Sequence, residues 1–209
     1  TDSEEKTEVV IIKEDVAFLS DNKLEGRQTG VDGEIAVAAY IANRFEDLGL
    51  TAKGTKGNLQ AFSFRSKTDP YRDLNYTAID GDSTITGINV IGFLDNKEEN
   101  TVIIGAYFDH LGYGAEGSLF RGDTKEIHNG ADDNASGGAV LLNLAQKLKF
   151  ANKGNNYLFM AFSGEEMGLL GSNYFIKNST ISVLKANFML NKDMVGRLKQ
   201  DSTLAVYGV

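Results

Sequence analysis

Cysteine is absent from the sequence, proline occurs once, at Pro70, and there are two histidines, His110 and His128. Without thiols there is no disulfide framework and no thiolate chemistry, and a zinc site would have to use histidine, aspartate or glutamate. A single proline leaves no proline-rich spacer to separate domains. No apolar run approaches the roughly 20 residues of a membrane span, and the polar, acidic start TDSEEKTEVV does not read as a targeting signal, although one removed before this numbering is compatible with it. Positive charge is outnumbered: 21 Lys and Arg against 29 Asp and Glu give a net charge of -8. That opposes a nucleic-acid or anionic-membrane partner and suits cation binding.

The chain has 209 residues, 42% of them hydrophobic, enough for one α/β domain over residues 1–209. Residues 32–49 read as an amphipathic helix, with Ile35, Ala38, Ala39, Ala42, Phe45 and Leu48 on its apolar stripe, Asp32 as N-cap and Gly49 as stop. A shorter helix around Val9 to Leu19 precedes it and leads into the turn LEGRQTG, and residues 51–86 read as strand and loop. INVIGFL, TVIIGAYF, YLFMAF and ANFML are short runs rich in β-branched and aromatic residues, as in strands buried on both faces. Helical patterns at 133–150 and, more weakly, 166–177 alternate with them. The alternation predicts a doubly wound, mostly parallel sheet with helices on both faces.

Carboxylates collect where such a sheet binds ligands, beyond the carboxyl ends of its strands. Asp109 follows TVIIGAYF, Asp132 and Asp133 precede the next helix, Glu165 and Glu166 follow YLFMAF, and Asp193 follows ANFML. Two divalent ions about 3.5–4 Å apart can polarise a carbonyl and hold a hydroxide between them, given a bridging carboxylate. Asp132 suits the bridge, in a tight turn near a helix N-terminus, and Asp133 suits the helix cap. Glu165 and Glu166, diverging at a strand-to-helix turn, divide into one ligand and one general base. Asp193 completes a terminal metal position, and Asp109 orients the residue two before it. That residue is Tyr107, where such a site wants an imidazole; it is either an oxygen ligand or a core aromatic facing the site.

The motifs AYFDHLG, HNGADDNASGG, AFSGEEMGLLGS and NKDMVGR, with LEGRQTG and INVIGFL, resemble in order and spacing those of the zinc aminopeptidases of the MH clan, the group of secreted bacterial leucyl aminopeptidases. The resemblance implies a co-catalytic dizinc exopeptidase acting on peptide substrates outside the cytoplasm: periplasmic, at the cell surface or secreted. It makes Asp132 the bridge, Glu166 and Asp193 ligands to one zinc each, Glu165 the general base and Asp109 the aspartate of a His-x-Asp pair. This sequence departs from the pattern at Tyr107, a histidine ligand in the family. A further family histidine lies after the last motif, so the chain reads as C-terminally incomplete, with STLAVYGV as a cut strand. Loss of both imidazoles implies reduced or absent zinc occupancy and a preference for hard cations. His110 is expected to point away from Asp109 by strand alternation, and His128 to be a loop or substrate-side residue. The alternatives are a pseudo-peptidase that binds peptides or a partner, and acyl transfer of the one-zinc glutaminyl cyclase type.

Overall fold

The computed structural model describes residues 2–65, 84–114, 117–151, 154–182, 186–197, 203 and 206–208. In chain order its elements are α1 (Asp2–Leu19), α2 (Asp32–Asp47), β1 (Thr51–Ala52), β2 (Leu59–Arg65), β3 (Thr84–Leu94) and β4 (Thr101–Tyr107). Then follow α3 (Gly137–Ala151), β5 (Asn156–Phe162), α4 (Leu170–Lys177) and β6 (Ala186–Lys192). The strands form one sheet in the order β1-β3-β5-β4-β6, with β2 paired to β3. Strands β4, β5 and β6 are parallel, whereas β3 runs antiparallel to both β5 and β2. The expected α/β sheet is therefore present with a mixed pattern. The crossover connections that enforce parallel pairing lie between β4, β5 and β6, where α3 and α4 intervene.

Central strand β5 is buried along its whole length. Its alternate residues serve two cores. Tyr157, Phe159 and Ala161 join α2 and α3 residues such as Phe45, Leu141 and Ala145, while Leu158, Met160 and Phe162 join Phe175 of α4 on the opposite face. ANFML departs from the expectation of burial on both faces: β6 is an outer strand of the described sheet, and Phe188, Met189 and Leu190 are exposed. No helix among the described residues is long and apolar enough to cross a membrane.

Helix α1 begins earlier than the apolar pattern predicted, and α3 and α4 begin later. In α2 the buried stripe is Val37, Ala38, Ile41, Ala42 and Phe45, and Ile35 faces solvent. The stripe is turned because Gly33, where a Cβ would lie 1.9 Å from the Leu24 carbonyl oxygen, presses the helix start against the preceding turn. Asp32 is the first helical residue rather than the cap, which is Val31 and caps without a side chain. The Gly49 stop holds: at φ +65° its N–H donates to the Glu46 carbonyl at 2.7 Å. Residues 66–83, within the stretch read as strand and loop, and half of STLAVYGV lie outside the described residues.

The same turn buries Glu34. Its carboxylate accepts from Gly30 N (2.7 Å), Ile88 N (3.0 Å) and Ser163 Oγ, which fastens α2 to β3 and to the end of β5. Burial pushes the carboxyl upward in pKa, and the three hydrogen bonds oppose it. Glu34→Gln must set an amide NH2 against one of three donors, so urea denaturation should show a loss on the order of 1–3 kcal/mol.

Candidate metal and catalytic site

Strand β4 stops at Tyr107, and Phe108, Asp109 and His110 leave it as irregular chain. Strict alternation therefore no longer separates Asp109 from His110, and both are buried. Nδ1 of His110 lies 2.6 Å from Oε1 of Glu166 and 4.0 Å from Oδ1 of Asp133. The expectation that His110 points away is thus corrected, because the strand ends three residues before it.

The DD pair also resolves differently. In the irregular turn Ala131–Ser136, Asp133 and Asn134 leave helical backbone angles, and the two aspartates diverge. Asp132, expected as the bridge, accepts from Gly196 N and Arg197 Nε, each at 2.8 Å, and so ties the turn to the segment after β6. Asp133 instead reaches the cluster: the Tyr107 phenol donates to it, and the same phenol oxygen lies 2.8 Å from Oδ1 of Asp193. The expected capping role falls to Asn134, whose Oδ1 accepts from Gly137 N (3.2 Å) and Met194 N (3.0 Å).

Asp109 accepts from the backbone N–H of Glu165 (3.0 Å) and Glu166 (3.3 Å) and from Thr29 Oγ1 (3.0 Å). Its carboxylate orients the turn after β5, and not the Tyr107 side chain as the spacing suggested. Burial lifts Asp109 to about 7 against the pull of those hydrogen bonds. Glu165 and Glu166 diverge as expected. Glu166 faces His110, while Glu165 borders a cleft of about 200 Å³ whose walls include Tyr107, Phe162, Leu169 and Met189. Burial first, then the charges of Glu166, Asp193 and Asp133, raise the Glu165 carboxyl to about 7. His128 behaves as a loop residue, its Nε2 2.6 Å from Ser118 Oγ and its Nδ1 3.0 Å from the Glu126 carbonyl oxygen.

Arg27, within LEGRQTG, is a residue whose part in the site the sequence reading missed. It is fully buried and spends its five N–H groups on five carbonyls: Phe108 (2.7 Å), Leu19 (2.9 Å), Asn129, Gly130 (2.6 Å) and Asp133 (3.2 Å). One cation thus holds the end of α1, the chain leaving β4 and the turn that carries Asp133. The LEGR turn itself requires glycine. Gly26 has φ +71°, and a Cβ there would stand 2.6 Å from the Gly112 carbonyl oxygen.

His110, Asp133 and Glu166 each offer one ligand atom, all within 4.8 Å of one another. One imidazole and two carboxylates are a donor set that zinc accepts. Zinc bonds of about 2.0–2.1 Å hold tetrahedral ligand atoms roughly 3.3 Å apart, between the two spacings that His110 shows. The residues fit a zinc ion with small adjustments.

Residues 89–208 match the family model for peptidase family M28. A probable leucine aminopeptidase of Trichophyton verrucosum (strain HKI 0517) is 35% identical over 118 residues, which are 54% of this chain and 29% of that protein. Among solved structures, a Zn-dependent exopeptidase from Parabacteroides distasonis matches with TM-score 0.64 at 20% identity, over 91% of this chain and 61% of its own. A glutaminyl cyclase of Bacteroides thetaiotaomicron matches with TM-score 0.66 at 19% identity, over 91% of this chain and 62% of its own. The chain thus spans under a third of that curated relative and about three fifths of these structures, whose likeness is one of fold. Since the family model matches more than half of its length, the chain belongs to peptidase family M28.

Proposed function

We propose that this chain carries the catalytic site of a metal-dependent aminopeptidase that hydrolyses the N-terminal peptide bond of peptides. The observation that carries this reading is the convergence of His110, Asp133, Glu166 and Asp193 at the ends of three parallel strands, with Glu165 set apart from them toward an apolar cleft. His110, Asp133 and Glu166 would hold zinc, and Asp133, which also accepts from the Tyr107 phenol beside Asp193, would be the carboxylate placed to serve a second ion. A bound ion there supplies polarisation of the scissile carbonyl and acidification of a water. Glu165 would act as general base toward the attacking water, whose oxygen forms the new C–O bond as the C–N bond breaks, and would return the proton to the departing amine. The cleft of Phe162, Leu169 and Met189 receives an apolar side chain of the N-terminal residue, and the surrounding carboxylates attract its ammonium group.

The test is release of leucine from leucyl peptides with zinc added, comparing two neighbouring variants. Asp133→Asn should lower kcat/KM by at least about 100-fold, since even outer partners of metal ligands are worth 10–100-fold. Asp132→Asn should keep most of the activity, and a reversed order would sink the placement. Tyr107 supports a second reading, a peptide-binding protein without chemistry, because a phenol stands where the resemblance asks for an imidazole. Zinc-loaded protein that binds leucyl peptides without turnover would favour it. Cyclisation of an N-terminal glutamine peptide tests the glutaminyl cyclase alternative; no cyclisation is the expected outcome.

A further inference from the structure

We propose that Glu34 of α2 and Asn89 of β3 are positioning residues for Glu165, acting through Ser163 on the turn that carries it. The inference rests on the general-base reading of Glu165 above and says what holds that carboxylate in place.

Among the described residues the Glu165 carboxylate accepts no hydrogen bond. Glu166 differs, because its own side chain is anchored 2.6 Å from His110 Nδ1. The direction of Glu165 therefore comes from its backbone. The residue before it, Gly164, has φ +70°, and glycine imposes little steric preference of its own. The turn must take its direction from what clamps it on either side. On the far side Asp109 accepts from the N–H groups of Glu165 and Glu166. On the near side the clamp is Ser163, the first residue after β5.

Ser163 is fully buried, and each of its polar groups is engaged. Its N–H donates to Asn89 Oδ1 (3.2 Å), its hydroxyl donates to the Glu34 carboxylate, and its carbonyl accepts from Gly171 N (2.9 Å). Glu34 and Asn89 are fully buried too, and both are fixed from behind. Glu34 accepts from Gly30 N and Ile88 N, while Asn89 donates to Gln60 Oε1 (3.1 Å) and to the Gly171 carbonyl (2.9 Å). To pin α2 to β3 the Glu34 carboxylate needs only Gly30 and Ile88; its third bond reaches the turn. The packing leaves Ser163 and Asn89 little room to shift, since a Cβ on Gly171 would stand 2.2 Å from Asn89 Oδ1 and one on Gly87 2.8 Å from Ser163 Oγ. Losing either partner frees Ser163 and lets Gly164 swing Glu165, while Glu166 stays tethered to His110.

Glu34→Gln and Asn89→Leu should each lower kcat on leucyl peptides about 10- to 100-fold, the scale of a displacement of roughly 1 Å at a reacting group, with KM within about threefold and zinc stoichiometry unchanged. Ser163→Ala removes one hydroxyl and keeps the other clamps, so it serves if the larger changes unfold the chain. Combined with Glu34→Gln it should cost little more than Glu34→Gln alone, because both cut the same contact. Asp15→Asn, which disturbs a buried contact with Tyr40 and Arg44 of α2, is the control: it should lower stability and keep parental kcat. Amide hydrogen exchange followed by NMR, with and without zinc, reads the clamp independently of turnover. Exchange at Glu165 and Glu166 should rise at least about tenfold relative to Phe159 and Met160 of β5 in the Glu34, Asn89 and Ser163 variants, whereas a global loss raises all four together. Parental kcat in these variants, an equal kcat loss in Asp15→Asn, or a uniform rise in exchange would overturn the proposal. No turnover by the unmodified, zinc-loaded protein would defeat the peptidase reading, and the exchange pattern would then decide whether Glu34 and Asn89 hold the turn.

Discussion

Arg27→Met should lower the unfolding midpoint by about 10 °C or more, the largest stability effect expected of any single substitution outside the hydrophobic core. Five carbonyls would lose their donor, two of them in buried contacts and three in partly buried ones, and orphaned buried acceptors cost about 1–3 kcal/mol each before relaxation. Breaking a buried charged contact costs on the order of 3–5 kcal/mol, and about 2–4 °C accompanies each kcal/mol in a chain of this size. Burial brings the guanidinium down to about 10, with Asp109, Asp133, Glu166 and Tyr107 pulling the other way, so it remains protonated at neutral pH. Arg27→Lys keeps the charge but has three donors on one atom, which cannot span the carbonyls of Leu19, Phe108 and Gly130 together. It should recover less than half of the loss in thermal denaturation. Zinc affinity should fall in both variants, because the Phe108 and Asp133 carbonyls fix the backbone on either side of His110 and Asp133. Arg27→Met within about 1 kcal/mol of the parent would show that other contacts hold these loops.

The largest effect on turnover is expected at Glu165. Its replacement by glutamine preserves shape and leaves His110, Asp133 and Glu166 in place, so zinc stoichiometry should be unchanged while kcat falls about 10²- to 10⁴-fold, the range for a positioned general base. The pH profile gives a second check. A base works only when ionised, and the Glu165 carboxyl is raised to about 7 by burial and by Glu166, Asp193 and Asp133. Activity should accordingly climb with pH through an acid limb and level off above it. Cations bound beside Asp133 and Glu166 would offset those negative neighbours, which moves the limb below 7. In Glu165→Gln the residual activity should lose that limb. An unchanged profile together with near-parental kcat would assign the proton transfer to another group.

The substitutions fall on residues that were not equally legible. Strand runs such as YLFMAF stood out because full burial on both faces demands consecutive apolar residues, and β5 meets that demand along its length. The carboxylates after β4, β5 and β6 were legible for a similar reason, since strand ends in an α/β sheet place successive loops at one rim. Alternation failed at the rim itself. Asp132 and Asp133 differ by one position in a turn without regular period, and nothing local says which of them faces inward. His110 was misplaced because β4 ends three residues earlier than a continued alternation assumes.

Order and chemical type along the chain therefore carry the α/β class, the family and the cluster of Asp109, Glu165, Glu166 and Asp193, because each depends on local composition and on strands ending where apolar runs end. That Asp133 rather than Asp132 faces the cluster, that His110 joins it, and that Arg27 is buried emerge only once distant segments meet. Their partners are backbone carbonyls, a neighbouring turn and carboxylates from other strands, and contacts between remote segments impose no period on the residues that make them.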